Sequence, residues 1–309
     1  MARTRAPGRP HGHSPSRHRP PQSGLKRNAV WLAAAAALVA VAVAVIVVSR
    51  GGEGGDRGDG GGAGFVGGDL HSLVADPTRP GRLFVGGHQA VSSSVDGART
   101  WSRVSSLDDA DAMGWGFTKE AVWVSGHPGI NRSSDGAVTF QKADQGLPDT
   151  DVHAFGASDS TLYASSPSVG IFASTDGGRS WDVRTDRAGQ SFFGRILVSA
   201  SDASNLVAAD TRAGAVESTD GGRSWHRLGG PASALWVSRN GDALYVSGPQ
   251  GSARSGDGGK TWERLGLPDG ASIVEADPAD PQVLYAGAHR GDAVRVWVSH
   301  DGGKGWVRP

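Results

Sequence analysis

The segment Ser174-Thr-Asp-Gly-Gly-Arg-Ser-Trp181 decides the fold, because closely related segments recur at five other places in the chain. We call this eight-residue segment the Asp turn, after the carboxylate at its third position. The copies follow one another at intervals of about 40 residues, a period that is typical of stacked or radially arranged repeats. The six carboxylates belong to Asp96, Asp135, Asp176, Asp220, Asp257 and Asp301.

Each residue type in the Asp turn suits a tight connection between two strands. The Asp carboxylate and the Ser hydroxyl two residues before it can accept hydrogen bonds from N–H groups of the turn, and the glycines can adopt positive φ. The final aromatic residue starts the next strand as a large apolar group. It is Phe140 in the second copy, and Ala98 and Ala137 replace the second glycine in the first two. The other copies end in tryptophan, at Trp101, Trp181, Trp225, Trp262 and Trp306.

The residues between the Asp turns repeat as well. Each repeat contains four short strand signals bounded by Gly, Pro, Asp and Ser. The second of these signals aligns without gaps in all repeats, from residues 83–85 in the first to residues 284–286 in the last. Four strands in about every 40 residues form one blade of a propeller. We therefore predict an all-β, six-bladed β-propeller over residues 65–309, with no strand exchanged between the first and last blades.

Three segments of different composition precede the repeats. Residues 1–28 are basic, contain no acidic residue and are rich in Pro, His and Ser, which predicts a disordered tail. Residues 29–49 are almost all Ala, Val, Leu and Ile and are long enough to cross a bilayer as a helix. Residues 50–64 are mostly glycine, which predicts a flexible linker.

The charges around the apolar segment predict its orientation. Basic residues are concentrated before it, so the positive-inside rule places the N-terminus in the cytoplasm and the propeller outside. We expect a single-pass protein of the cell membrane, with membrane lipid as the partner of the helix. Removal of the segment as a signal peptide, with cleavage near Gly51, is the alternative.

The charge of the whole chain excludes one class of partner. Its 31 basic and 31 acidic residues give a formal net charge of zero, and the tail holds many of the basic ones. The repeats therefore lack the basic surface that binds nucleic acid. We expect a monomer that binds a glycan or a protein.

The Asp turn resembles the Asp box, or BNR repeat, of the propellers best known from sialidases. Sortilin-type receptors and a photosystem assembly factor contain similar propellers, and the resemblance covers about residues 70–309. Residues 111–115 and 126–128, together with the apolar segment, also resemble bacterial membrane-anchored propellers that are labelled glycosyl hydrolases by similarity. The resemblance implies an external domain that handles a glycan or another ligand, and it makes Trp115 a candidate for ligand contact.

Histidines recur at the face opposite the Asp turns, where propellers usually bind ligands. Three of them, His88, His127 and His289, follow second strands, whereas His71 and His153 precede first strands. The last, first and second repeats become neighbours when the ring closes. We therefore expect His88, His127 and His289 to cluster and to bind a divalent metal ion. The alternatives are a ligand bound without metal, and histidines that only cap their own loops.

Sialidase chemistry, which the resemblance implies, requires three arginines, a Tyr nucleophile paired with Glu, and an Asp acid or base. The candidates for the three arginines are Arg195, Arg212 and Arg290, because guanidinium groups suit carboxylates. The tyrosine is missing, since Tyr163, Tyr245 and Tyr285 all occupy the packing position of a second strand.

Other groups could still act in catalysis. The remaining candidates are Asp111, His127 and Arg195, and Asp111 could pair with Asp69 or Asp151 across a glycosidic bond. We therefore expect a binding propeller, with a glycoside hydrolase that uses different residues as the first alternative and a scaffold for envelope assembly as the second.

Overall fold

The computed structural model describes Ala2 and residues 62–309. The predicted apolar helix lies outside these residues, as do the predicted tail, apart from Ala2, and most of the predicted linker. Within the described residues, no helix is long and apolar enough to cross a membrane. Strands dominate the described chain, and a single 3-10 turn, Ser105–Leu107, interrupts them. The predicted all-β class is confirmed.

The strands group into six sequence repeats: after the short strand β1 (Gly64–Phe65), repeats 1 to 5 take four strands each in chain order, and repeat 6 takes the last three together with β1. Repeat 1 contains β2 (Leu70–Ala75), β3 (Leu83–Gly87), β4 (Val91–Ser94) and β5 (Ser102–Arg103). Repeat 2 contains β6 (Gly114–Phe117), β7 (Val122–Gly126), β8 (Gly129–Ser133) and β9 (Gln141–Lys142). Repeat 3 contains β10 (Ala154–Ala157), β11 (Leu162–Ser166), β12 (Gly170–Ser174) and β13 (Asp182–Thr185).

The second half of the domain continues the pattern. Repeat 4 contains β14 (Phe192–Val198), β15 (Leu206–Asp210), β16 (Gly214–Ser218) and β17 (His226–Gly229). Repeat 5 contains β18 (Trp236–Asn240), β19 (Ala243–Gly248), β20 (Gly251–Ser255) and β21 (Glu263–Leu265). Repeat 6 contains β22 (Ile273–Ala276), β23 (Leu284–Arg290) and β24 (Ala293–Ser299), and β1 supplies its fourth strand.

Within each repeat, consecutive strands pair in antiparallel fashion, and from repeat 2 to repeat 6 the first strands of successive repeats pack together. Between repeats 3 and 4 this approach is so close that β10 and β14 form a parallel pair. Gly156 on β10 allows it, because a Cβ at that position would lie 1.9 Å from the carbonyl oxygen of Ile196. The first strand of repeat 6, β22, packs against β2, so the series of repeats returns to its start.

The N-terminal strand closes the ring. Gly64 and Phe65 pair with Val294 and Ala293 on β24, while Val307, near the C-terminus, makes an isolated bridge with Val298 further along the same strand. The prediction that no strand is exchanged at the seam is therefore wrong. The sequence around Gly64 has too little apolar periodicity to be recognised as a strand, although Val66, which follows it, is completely buried.

The six Asp turns share one hydrogen-bond pattern. In every copy the Ser hydroxyl donates to the Asp carboxylate at 2.7–2.8 Å and accepts the N–H of the residue two positions after the Asp at 2.8–2.9 Å. The N–H four positions after the Asp also donates to the carboxylate. In five copies a Ser or Thr hydroxyl donates to the second carboxylate oxygen, and Gly305 lacks this group.

The two alanine substitutions leave this pattern intact. Ala98 and Ala137 adopt φ values of 74° and 62°, in the left-handed region that glycine occupies in the other turns. Both alanines are buried, and their methyl groups belong to the core between repeats 1 and 2. The aromatic residues at the ends of the turns also pack inward, as Trp225 does against Phe192 with ring centroids 4.7 Å apart.

Hydrogen bonds within the turns favour the ionised carboxylates. Those from Thr100 lower the pKa of Asp96 from its ordinary value of 3.8 to about 2, and Ser224 and Thr261 do the same for Asp220 and Asp257. A depressed folded-state pKa contributes stability that is fully present above the unfolded value and is lost as the pH falls through the folded value. The Asp turns should therefore weaken between about pH 4 and pH 2.

We predict that Asp96→Asn lowers Tm at pH 7 by roughly 2–4 °C, because the amide replaces one acceptor of the turn by a donor. The difference from the wild type should shrink as the pH falls from 4 to 2, and thermal unfolding followed by circular dichroism measures both effects. Asp269→Asn is the control, since this carboxylate is exposed and makes no hydrogen bond among the described residues. An unchanged Tm for Asp96→Asn at pH 7 would contradict the prediction.

Candidate functional site

The loops opposite the Asp turns bring histidines and carboxylates of three repeats together. His71 is the second residue of β2 and His88 follows β3, so both belong to repeat 1. His127 follows β7, and His153 immediately precedes β10. Asp111 lies in the connection between repeats 1 and 2. We call the group formed by these residues with Asp69 and Asp151 the histidine cluster.

Asp111 is the centre of the histidine cluster. One carboxylate oxygen, Oδ1, lies 2.5 Å from Nδ1 of His71. The other, Oδ2, lies 3.4 Å from Nδ1 of His88 and 3.3 Å from Nδ1 of His127. Only 5% of Asp111 is exposed. Three imidazoles thus turn the same nitrogen toward one buried carboxylate.

His127 extends the cluster toward repeat 3. Its Nε2 contacts Oδ1 of Asp151, and the same oxygen lies 2.8 Å from Nε2 of His153. The two Nε2 atoms of His127 and His153 are 3.3 Å apart. His127 is 47% exposed and His153 is 15% exposed, so this end of the cluster is accessible from solvent.

Charges within the cluster control its protonation. Burial raises the pKa of Asp111, but His127, His71 and His88 outweigh burial and hold this pKa well below its usual range. The same balance lowers the pKa of Asp151, which His127 and His153 contact. Asp111 and Asp151 together raise the pKa of His127 to about 10. Without a bound cation, His127 therefore carries a positive charge at neutral pH.

A second group of potential ligands lies on the repeat 1 side of Asp111. The ligand atoms of Asp69, His71 and His88 all lie within 4.8 Å of one another, as do those of His127, Asp151 and His153. The rings of His71 and His88 meet edge to face, with centroids 4.4 Å apart. Phe193 of repeat 4 lies against both groups, since its ring contacts His71 and His153 with centroids 5.6 Å and 6.1 Å apart.

The predicted trio of His88, His127 and His289 is divided by this arrangement. His88 and His127 both face Asp111. His289 lies beside Asp69, with its Nδ1 4.0 Å from Oδ1 of that carboxylate, and belongs to neither of the two described ligand groups. The structure thus brings two of the predicted histidines together and directs the third to the outer side of the cluster.

Other predicted ligand residues lie elsewhere. Trp115 is 1% exposed, donates its indole N–H to Ser72 and stacks on Phe84, so it is a core residue and the prediction that it contacts ligand is wrong. Arg212, in the connection after β15, and Arg290, at the end of β23, are both exposed, and among the described residues neither guanidinium makes a hydrogen bond to the cluster.

Arg195 is held inside the ring. Its Nη1 donates to Oε1 of Glu275 at 2.7 Å, and the other oxygen of that carboxylate accepts the indole N–H of Trp236. Glu275 also accepts the backbone N–H of Ala75, so it joins the first strands of repeats 1, 4, 5 and 6. Burial raises the pKa of Glu275. Arg195 is therefore a partner of Glu275 and is not free to clamp a substrate carboxylate.

Sequence reasoning missed Glu275 and Phe193. Glu275 occupies an otherwise apolar first strand, and a charged residue at such a position is the signal that a buried partner exists. Phe193 carries no comparable signal, because an aromatic residue beside a strand usually packs in the core.

A groove of about 710 Å³ lies on the other face, between the β6–β7 connection and the Asp turn of repeat 3. Trp123, Arg132 and Arg179 line it, and none of the residues of the histidine cluster does. Much of its lining consists of turn residues such as Asp176, whose carboxylate already accepts hydrogen bonds from its own turn. The convergence of titratable groups favours the cluster as the functional site.

No protein-family model and no curated protein matches the chain. Its solved structural neighbours include the GH74 xyloglucanase from Xanthomonas campestris, with a TM-score of 0.55, 18% identity and coverage of 80% of this chain and 45% of the enzyme. A protein of unknown function from Bacteroides thetaiotaomicron has a TM-score of 0.60 at 13% identity, covering 80% and 72%. YCF48 bound to a D1 peptide has a TM-score of 0.50 at 16% identity, covering 82% and 85%.

These likenesses identify the fold as a β-propeller, which confirms that part of the prediction. At these identities they carry no information about the site. The chain also spans less than half of the xyloglucanase, so the activity of that enzyme belongs to a larger protein.

We predict that Arg195→Met lowers the free energy of unfolding by about 3 kcal/mol, because it leaves the buried carboxylate of Glu275 without its charged partner. Urea denaturation of the full chain measures the change. The double variant Arg195→Met/Glu275→Gln should recover part of the loss, and Arg212→Met is the matched control at an exposed arginine. Wild-type stability in Arg195→Met would contradict the structural role of the ion pair.

Proposed function

We propose that this chain is a membrane-anchored, extracytoplasmic propeller of six blades that binds a divalent metal ion at the face opposite its Asp turns. The ligands are Nε2 of His127, Nε2 of His153 and a carboxylate oxygen of Asp151. Asp111 orients His127 from behind through the other ring nitrogen. Of the three expected kinds of ligand, which are a glycan, a metal ion and a protein, the geometry supports a metal ion best.

The separation of the two imidazole nitrogens carries the proposal. Two nitrogens bound to one tetrahedral zinc ion at ordinary bond lengths lie about 3.3 Å apart. The Nε2 atoms of His127 and His153 are 3.3 Å apart, and Oδ1 of Asp151 contacts both. The exposure of His127 leaves room for a water molecule or a ligand atom at a fourth position.

The surroundings of His127 also fit a metal ligand. A metal-binding histidine usually donates its second ring N–H to a carboxylate, which fixes the tautomer and the orientation of the ring. Nδ1 of His127 faces Oδ2 of the buried Asp111 at 3.3 Å, as this arrangement requires. Imidazole with carboxylate suits zinc and related first-row ions, whereas calcium and magnesium prefer oxygen ligands alone.

We predict that the full chain binds Zn²⁺ in isothermal titration calorimetry, and that His153→Ala weakens this binding by more than about 100-fold because it removes a direct ligand. His11, His13 and His18 are replaced by alanine in every sample, since histidines of the tail would bind zinc as well. His300→Ala, at an exposed histidine outside the cluster, is the control. Zinc binding that is absent in the parent chain, or a zinc stoichiometry and affinity that are both unchanged in His153→Ala, would overturn the proposal.

A glycoside hydrolase is the second candidate, since a xyloglucanase shares the fold and two carboxylates meet at His127. Such an enzyme needs one carboxylic acid whose pKa is raised, so that it can protonate the leaving group. The pKa values of Asp111 and Asp151 are both lowered. Binding without turnover is therefore the better supported function.

We predict no turnover of fluorogenic glycosides, sialosides or xyloglucan fragments above the level of an Asp111→Asn variant. The measurement is fluorescence release by the zinc-loaded full chain, with the metal-free chain in parallel. Turnover that is lost in both Asp111→Asn and His127→Ala would replace the binding function by a hydrolytic one.

A protein ligand is the third candidate. YCF48 has been solved with a bound D1 peptide, so a propeller with a similar fold can hold a peptide. In this chain the exposed rims of His88 and His127 would meet such a partner, and the domain would then act as a scaffold in the cell envelope.

A further inference from the structure

We propose that the same face binds a second divalent ion through Asp69, His71 and His88, and that the buried carboxylate of Asp111 couples the two ion sites. This inference rests on the proposed function, because the first ion is the one assigned to His127, Asp151 and His153. Together the two groups form a paired metal centre between repeats 1 and 3.

The composition of the second group matches that of the first. Each group consists of two imidazoles and one carboxylate, with all ligand atoms within 4.8 Å. Each group also combines a largely buried histidine with a half-exposed one. These are His71 and His88 in the second group, and His153 and His127 in the first. His289 flanks Asp69 at 4.0 Å and has its Nε2 buried without a hydrogen bond among the described residues.

Asp111 supplies the independent observation. It is 95% buried, and its Oδ2 makes no hydrogen bond of standard geometry among the described residues, although Nδ1 of His88 and Nδ1 of His127 lie near it. A buried carboxylate oxygen without a hydrogen bond is costly. Metal binding at Nε2 of each imidazole would fix the proton on Nδ1 and aim it at this oxygen. Two bound ions would therefore satisfy the carboxylate from both sides.

Charge indicates the class of ligand that a paired centre would take. Three carboxylates, from Asp69, Asp111 and Asp151, balance most but not all of the charge of two divalent ions when the histidines are neutral. Each ion also keeps an open position on its solvent side, next to His88 or His127. An oxyanion such as phosphate would balance the remaining positive charge.

Metal stoichiometry tests the inference. The full chain, with His11, His13 and His18 replaced by alanine, is loaded with Zn²⁺, dialysed and analysed by mass spectrometry for metal content. We expect two ions per chain, and one ion per chain in both His88→Ala and His153→Ala. The double variant should hold none, and Asp111→Asn should lower the affinity of both sites by roughly 10–100-fold. His300→Ala should retain two ions, and Mg²⁺ should not replace zinc.

The outcomes separate this inference from the proposed function. One ion per chain that His153→Ala removes and His88→Ala retains would overturn the second site and leave the first. No ion in the parent chain would overturn both. His88→Gln and His153→Gln repeat the test with smaller changes in volume, and circular dichroism confirms that each variant is folded.

Inorganic phosphate tests the ligand class. We expect the zinc-loaded parent chain to bind phosphate, and binding to weaken at least 10-fold in His88→Ala, which retains the first ion. Equal phosphate affinity in the parent chain and in His88→Ala would overturn the paired centre as the anion site.

Discussion

The structure depends on one carboxylate in each repeat that accepts hydrogen bonds from its own turn. In Asp176, the two oxygens receive the hydroxyls of Ser174 and Ser180 and the backbone N–H groups of residues 179 and 180. The turn therefore has one conformation, and the aromatic residue at its end enters the next strand in a fixed direction. Repeated six times, this constraint aligns the loops of the opposite face, where the histidine cluster lies.

The regular features of the chain could be read from its sequence. The spacing of Asp96 and its counterparts, together with the alignment of the second strands, predicted four strands per repeat, because a repeat shows its local structure several times. The same register placed His88 and His127 at equivalent loops, and the structure joins them through Asp111. The strand prediction succeeded because its information lies within one repeat, whereas the expected cluster of His88, His127 and His289 is met only for the first two.

Features that break the repeat could not be read in this way. The pair of Arg195 and Glu275 joins first strands 80 residues apart, and no local pattern relates them. Trp115 ends a segment that resembles one in other bacterial propellers, yet its indole fills the core because its strand faces inward at that residue. The division of the histidines into two groups depends on Asp69 and Asp151, whose side-chain directions are set by loop conformations.

The closure of the ring by β1 determines the order in which the domain can be completed during synthesis. Gly64 and Phe65 leave the ribosome before the strands of all six repeats, whereas their partners on β24 emerge after those of repeats 1 to 5. β1 therefore stays unpaired until β24 has been synthesised. A chain that stops early would expose two unpaired strand edges, which makes truncated products prone to aggregation and to removal by proteases.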